Sequence, residues 1–174
     1  AYERGTSVYL VDRVIPMLPH KLSNGICSLN PQVDRLTLSC IMEIDTKGQV
    51  CDSRITPSVI HSDFRMTYDA VREILEEQTP ELLETYATII PMLQDMEQLR
   101  QILVEKRKKR GSVNFDVPES KIILNEKGEV QEIRPYERSI ATNLIEEFML
   151  VCNETVAEYF YWQEIPFVFR SHQE

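Results

Sequence analysis

Glycine is scarce in this chain, five in 174 residues, and that alone removes several chemistries. A phosphate-cradling loop needs closely spaced glycines so that backbone N–H groups can approach the ligand, and neither a Walker-type nor a dinucleotide-binding pattern occurs. No G-x-S-x-G elbow presents any of the serines as a nucleophile. The three histidines, His20, His61 and His172, are far apart and lack ligand spacing to carboxylates or cysteines, so they do not suggest a metal site. Cys27, Cys40, Cys51 and Cys152 contain no C-x-x-C pair. A zinc site is therefore not expected, and the four read as reduced core thiols of a cytoplasmic protein. No apolar run is long enough to span a bilayer, and Ala1-Tyr2-Glu3-Arg4-Gly5 has neither the basic region nor the apolar core of a signal peptide. A soluble protein without a membrane partner is the expectation. Aspartate is thinly spread as well: none of the eight is adjacent to another, and none repeats a spaced metal-binding cluster.

What is present is enough apolar residue, 43%, to bury one sizeable core. The formal net charge of −9 runs against nucleic-acid binding, which normally leaves an electropositive footprint. Either basic surface is local, or it comes from parts of a longer protein.

Along the chain, residues 1–34 carry Pro16, Pro19, Ser23-Asn24-Gly25 and Asn30-Pro31, which predicts an extended loop region with a short helical turn near the start. A loop of that length in a compact domain is usually functional. Leu36, Leu38, Cys40, Met42 and Ile44 alternate as a strand burying one face, Asp45-Thr46-Lys47-Gly48 turns the chain, and a run to His61 returns, giving a β-hairpin over 35–62. Pro57 marks a bulge or an edge.

Helical spacing follows over 66–110. Tyr68, Val71, Ile74 and Leu75 form one stripe, and a second, from Leu82 to Leu103, keeps its phase across Pro91, where the helix should kink or restart. Short strands are expected over 112–134, at Val113–Phe115, Lys121–Leu124 and Val130–Ile133. A helix over 137–162 is apolar nearly all round, which predicts burial on most sides. A last strand is expected over 166–172. The class is α+β: a mixed, largely antiparallel sheet packed with several helices, including a long central buried helix.

The spelling is more particular than packing requires, since cores tolerate apolar swaps of similar size. Arg4-Gly5-Thr6-Ser7-Val8-Tyr9-Leu10, Ile15-Pro16-Met17-Leu18-Pro19, Leu22-Ser23-Asn24-Gly25-Ile26-Cys27-Ser28-Leu29-Asn30-Pro31 and Asp34-Arg35-Leu36 come in sequence. They are followed by Arg65-Met66-Thr67-Tyr68, Arg110-Gly111-Ser112-Val113-Asn114-Phe115, Ala141-Thr142-Asn143-Leu144-Ile145-Glu146-Glu147-Phe148-Met149, Asn153-Glu154 and Phe169-Arg170-Ser171-His172. In these blocks and their order the chain resembles the catalytic (RNB) domain of the ribonuclease II and ribonuclease R exoribonucleases. Residues 1–174 would be part of that domain.

The resemblance implies a 3′-to-5′ exoribonuclease that hydrolyses single-stranded RNA processively to 5′-nucleoside monophosphates, with aspartates holding Mg2+ in the full-length enzyme. The family's aspartate signature lies upstream of the first block. The expectation is therefore a fragment without catalytic or metal residues of its own, with no bound cofactor, inactive alone, and able to associate through apolar surface left uncovered.

Four substrate-binding positions carry over. Tyr9 matches a tyrosine that packs on nucleotides near the RNA 3′ end and sets how short the final product becomes. Tyr68 matches a tyrosine beside the terminal nucleotides, and Phe115 an aromatic that closes the stack of bases. Glu146 matches a glutamate that, with the tyrosine at Tyr68, favours ribose over deoxyribose. The physics is compatible: aromatic faces stack any base for about 1–3 kcal/mol each, and a carboxylate with a phenol can hydrogen-bond a 2′-hydroxyl.

Without the resemblance the same aromatics would be ordinary core or surface residues, and Glu146 could equally be one half of a structural buried pair. The basic run Lys106–Arg110 could touch phosphate, but cations at a helix C-terminus complement its dipole, which favours a structural reading. The competing class is a non-catalytic RNA- or protein-binding module on the same scaffold. A structural α+β domain with chance matches would need several ordered blocks to coincide.

Overall fold

In the computed structural model, residues 3, 5–112, 120–135 and 138–170 are described. Two compact units divide the chain. The first is built from Ala1–Thr37, Val59–Arg65 and Phe115–Glu137, the second from Leu38–Ser58, Met66–Asn114 and Arg138–Glu174.

Strands β1 (Val8–Tyr9) and β2 (Val14–Ile15) form a short antiparallel pair, Val8 opposite Ile15 and Tyr9 opposite Val14. The long hairpin β3 (Asp34–Ile44) and β4 (Val50–His61) turns at Asp45–Gln49. A third pair, β5 (Ser120–Leu124) and β6 (Val130–Pro135), is antiparallel. The class is α+β, and the strands form three two-stranded sheets among the described residues. Each pair is made locally across its own turn, and no crossover connection joins one pair to another.

Over residues 5–34, where an extended loop with a short helical turn near its start is expected, the β1–β2 hairpin comes first and Lys21–Ile26 forms one wide π-helical turn. The apolar alternation in β3 is covered only in part. Leu36 and Leu38 remain 86% and 71% exposed. Further along, Met42 meets the long helix described below, where the Thr155 hydroxyl donates to its sulfur at 3.3 Å. Cys40 and Cys152 are partly buried, whereas Cys27 and Cys51 are exposed and are not the core thiols anticipated.

The helices belong to the second unit. Helix α1 (Tyr68–Arg72) starts at Thr67, whose hydroxyl accepts the Ala70 N–H at 3.2 Å and so satisfies one of the donors a helix start leaves open. It widens into a π-helical stretch, Glu73–Glu77, and stops at Gln78 in the left-handed region. Helix α2 (Pro80–Thr85) is short, and α3 (Ile90–Lys109) restarts with Pro91 in its first turn, where a missing N–H breaks no hydrogen bond. Gly111 follows its end at φ +93°.

Helix α4 (Ile140–Trp162) opens with a reciprocal cap. The Thr142 N–H donates to the Ser139 hydroxyl at 3.3 Å, and the Ser139 N–H donates to the Thr142 hydroxyl at 3.0 Å. Helix α4 packs on α1 and α3.

Val71, Ile74, Leu93 and Ala141 form the core cluster, flanked by Met66, Leu82, Leu83 and Met96. Leu103, Leu144 and Val151 are the other buried apolar side chains among the described residues, and these seven lie in the second unit. Helix α4 is not buried on most sides, as its composition suggested. One row, Ala141, Leu144, Glu147, Val151 and Thr155, faces inward, while Met149, Tyr161 and Trp162 are exposed. A helix packed against neighbours along one side buries one stripe whatever its other faces carry.

The strand expected over 166–172 does not form across Pro166–Arg170. That stretch is held by rings instead, Phe167 stacking on Phe160 at 4.7 Å with the planes 2° apart. The short strand expected at Val113–Phe115 falls outside the described residues. No helix among the described residues is long and apolar enough to cross a membrane.

Candidate functional site

The Glu146-Glu147 pair shows how a helix sorts neighbouring side chains. Successive residues project about 100° apart, so only one of two can lie on the buried row. Glu147 takes that place, its side chain 4% exposed, and Glu146 stays 41% exposed. An ionised carboxylate so deeply buried must have a partner. Arg107, in the last turns of α3, supplies it: Nη2 donates to Glu147 Oε1 at 2.5 Å. The same nitrogen lies 3.8 Å from Glu146 Oε1. One guanidinium thus serves both carboxylates, and Glu146 keeps oxygen surface open to solvent.

Tyr68 is the first residue of α1 and is 48% exposed. Since α1 and α4 pack together, Tyr68 and Glu146 are carried by two elements that meet in the second unit. Tyr9 sits on β1 in the first unit, 78% exposed, with its ring not needed by any buried core. Phe115 lies outside the described residues. The structure therefore places Tyr68 and Glu146 on packed neighbours and assigns Tyr9 to the other unit.

Four residues of the basic run have partners within the chain. Arg107 pairs as above, Arg110 Nη2 donates to Glu154 Oε1 at 2.6 Å, Lys109 lies 3.6 Å from Glu105, and Lys106 Nζ donates to the Gly48 carbonyl at 2.9 Å. An open cleft lined by Lys47, Gln49, Ile102, Lys106 and Lys109 lies beside these groups, and Tyr9, Tyr68 and Glu146 are not among its lining residues. Deeper in the same layer, Glu97 is partly buried. Burial pushes its carboxyl up, but hydrogen bonds from Arg100 and Gln101 outweigh that and hold it below the ordinary range. Burial also pushes the Cys40 thiol up, aided by the neighbouring Cys152.

Among the described residues no three His, Cys, Asp or Glu side chains gather as metal donors. These residues do not make the magnesium site that the resemblance implies for a full-length enzyme, and no hydrolytic step is assigned to them.

Sequence reasoning singled out the Glu-Glu pair but not its cation, because the basic run at Lys106–Arg110 reads as a solvated helix end. The usable signal was the pairing of two adjacent acids in an apolar helix with a basic run elsewhere in the chain, which calls for one internal ion pair.

Comparison with known proteins is consistent across sequence and structure. The RNB domain matches residues 1–174. Ribonuclease R 1 of Lactococcus lactis subsp. lactis is 52% identical over 174 residues, covering 100% of this chain and 21% of that protein. Ribonuclease R of Escherichia coli (strain K12) is 39% identical over 100% of this chain and 21% of its own length. The structure of Mycoplasma genitalium RNase R in complex with ribose methylated single-stranded RNA matches with a TM-score of 0.89 at 32% identity, over 97% of this chain and 26% of that one. The chain spans about a fifth of the length of the curated relatives it matches.

Proposed function

This chain belongs to the RNB domain family, and on that premise we propose that it is the substrate-gripping part of a 3′-to-5′ exoribonuclease acting on single-stranded RNA in the cytoplasm. The full-length protein adds water across the last phosphodiester, breaks the bond from phosphorus to the 3′ oxygen, and releases a 5′-nucleoside monophosphate. Its magnesium belongs to the same proposal and is assigned to no residue of this chain. Relatives named as ribonucleases at 39–52% identity favour this reading over a non-catalytic module on the same scaffold.

One observation carries the assignment of roles: of two adjacent acids, Glu147 is consumed by an internal ion pair and Glu146 is left half-open on a helix that packs against the one bearing Tyr68. That leaves Glu146 able to accept a hydrogen bond from a ribose 2′-hydroxyl, the group that separates RNA from DNA, with the Tyr68 phenol as a second polar contact. Tyr9 stacks on a base and limits how far the strand is shortened. Phe115 closes the base stack. Stacking is indifferent to base identity, which suits an enzyme that must pass every nucleotide in turn.

The test is the full-length protein with 5′-labelled single-stranded RNA and magnesium. Stepwise loss of mononucleotides from the 3′ end is expected. Tyr68→Phe keeps the ring and should hold most of the rate on RNA while degradation of the matching DNA strand gains on it. Absence of mononucleotide release by the native protein, or a Tyr68→Phe variant with unaltered preference for RNA, would count against the reading.

A further inference from the structure

We infer that Arg107 is the positioning residue for ribose recognition: it is held by Glu147 and in turn holds Glu146 in the orientation that meets the 2′-hydroxyl. The inference rests on the assignment of Glu146 as the ribose-reading carboxylate.

Its geometry stands on distances within one compact unit. Arg107 Nη2 is 2.5 Å from Glu147 Oε1 and 3.8 Å from Glu146 Oε1. Arg107 Nη1 donates to the Ser112 hydroxyl at 3.4 Å, and the Ser112 N–H donates to the Arg107 carbonyl at 3.2 Å. The guanidinium is thus fixed from two directions, by the buried carboxylate of α4 and by Ser112 just past the end of α3. A cation fixed in this way is a reference point for a half-exposed side chain beside it. Glu146 sits next to that charge with one oxygen and keeps hydrogen-bonding capacity for a ligand.

The arrangement explains why both acids are needed. A glutamate on an exposed helix surface has three rotatable bonds and loses side-chain entropy when it binds a hydroxyl. Ordering it beforehand against a fixed charge reduces that loss at the moment of binding. Glu147 keeps the arginine from swinging out to solvent or to a phosphate. A lysine at position 107 would carry the charge without the planar fork that reaches several acceptors at once, so it should restore the ion pair and not the orientation.

The experiment measures, in the full-length protein, the ratio of kcat/KM for an RNA strand to that for the same strand with deoxyribose at its terminal nucleotides. Glu146→Gln is run in parallel and tests the underlying reading alone. Arg107→Met by itself strands a buried carboxylate and could unfold the layer, so the informative variant is Arg107→Met with Glu147→Gln, which removes both charges of the buried pair.

The expected result is a fall of roughly tenfold in the ratio for the double variant, matching Glu146→Gln, and a similar fall for Arg107→Lys, which keeps the ion pair without the orientation. If Glu146→Gln lowers the ratio and the folded double variant leaves it at the native value, Arg107 is structural and the inference is overturned. If Glu146→Gln leaves the ratio unchanged, the ribose-reading assignment itself fails, and the inference fails with it.

Discussion

The same turn is built once in each compact unit, and among the described residues one copy is held from outside, by α3. In the second unit Asp45 Oδ1 accepts the N–H groups of Lys47 and Gln49 at 2.8 Å each, and Gly48 sits at φ +78°. In the first unit Asn125 Oδ1 accepts the N–H groups of Lys127 and Glu129 at 2.9 and 3.0 Å, and Gly128 also sits at φ +78°. Yet a Cβ on Gly48 would lie 3.3 Å from both Ile102 and Lys106 of α3, whereas one on Gly128 would meet nothing. Lys106 also donates to the Gly48 carbonyl. Local sequence makes the turn, and tertiary contact decides how much depends on it.

That contrast extends to the units as wholes. The second holds every buried apolar side chain of the described structure and the Arg107–Glu147 pair, while the first holds none and presents Tyr9 at its surface. A residue that must discriminate one hydroxyl needs a rigid support, because small displacements undo a hydrogen bond. A ring that stacks on any base tolerates more motion. The division of labour proposed for Glu146 and Tyr9 follows the division in packing.

The largest expected effect comes from emptying the packed layer. Leu144→Ala should destabilise by about 2–5 kcal/mol, and Ile133→Ala, on exposed β6, should stay within about 0.5 kcal/mol. Urea unfolding monitored by circular dichroism compares the two, and equal losses would break the contrast between the units.

A smaller effect separates the twin turns. Gly48→Ala and Gly128→Ala both force a non-glycine residue to positive φ, at about 1–2 kcal/mol each. Only Gly48→Ala also pushes a methyl group toward Ile102 and Lys106, so it should shift the unfolding midpoint further. Matching shifts would mean that docking on α3 adds nothing.

The smallest effect is a matter of pH. The Gln49 N–H, ahead of the Lys47 N–H and the lysine charges, holds the Asp45 carboxyl below its ordinary range. A carboxyl depressed on folding contributes stability that is present above its unfolded value and lost as pH falls through the folded one. The Lys47 and Gln49 amide resonances should therefore move with acid titration below the usual carboxylate range. Those of Lys127 and Glu129, bonded to the non-titrating Asn125, should not follow, and a common titration of both turns would refute the assignment.

Much of this was legible in the sequence, for reasons that are local. The restart at Pro91 and the turn at Asp45-Thr46-Lys47-Gly48 are set by residues within a few positions of one another, whereas the Ser139 cap goes unread and the sequence starts that helix at residue 137. What stayed hidden depends on partners distant in the chain. Nothing in the spacing of Leu36 and Leu38 says that they stay exposed while Met42, further along β3, meets Thr155. Phe167 and Phe169 read as strand residues because alternation is a strand signal, but ring stacking on α4 satisfied them without a strand neighbour. Of the candidate site, the four residue positions came from resemblance, and the Arg107 pairing beside Glu146 came only from the structure. That Glu147 rather than Glu146 takes the buried place follows from helix phase only once the packing face is known.

Parallel digestion by Tyr9→Ala and Glu146→Gln variants of the full-length protein separates the two proposed roles, with the length of the final RNA product and the RNA-to-DNA rate ratio read for each. A crossed result is expected: Tyr9→Ala changes the product length and leaves the ratio, while Glu146→Gln lowers the ratio and leaves the length. Two variants that move both readouts together would contradict it, since recognition would then not be divided between the two units.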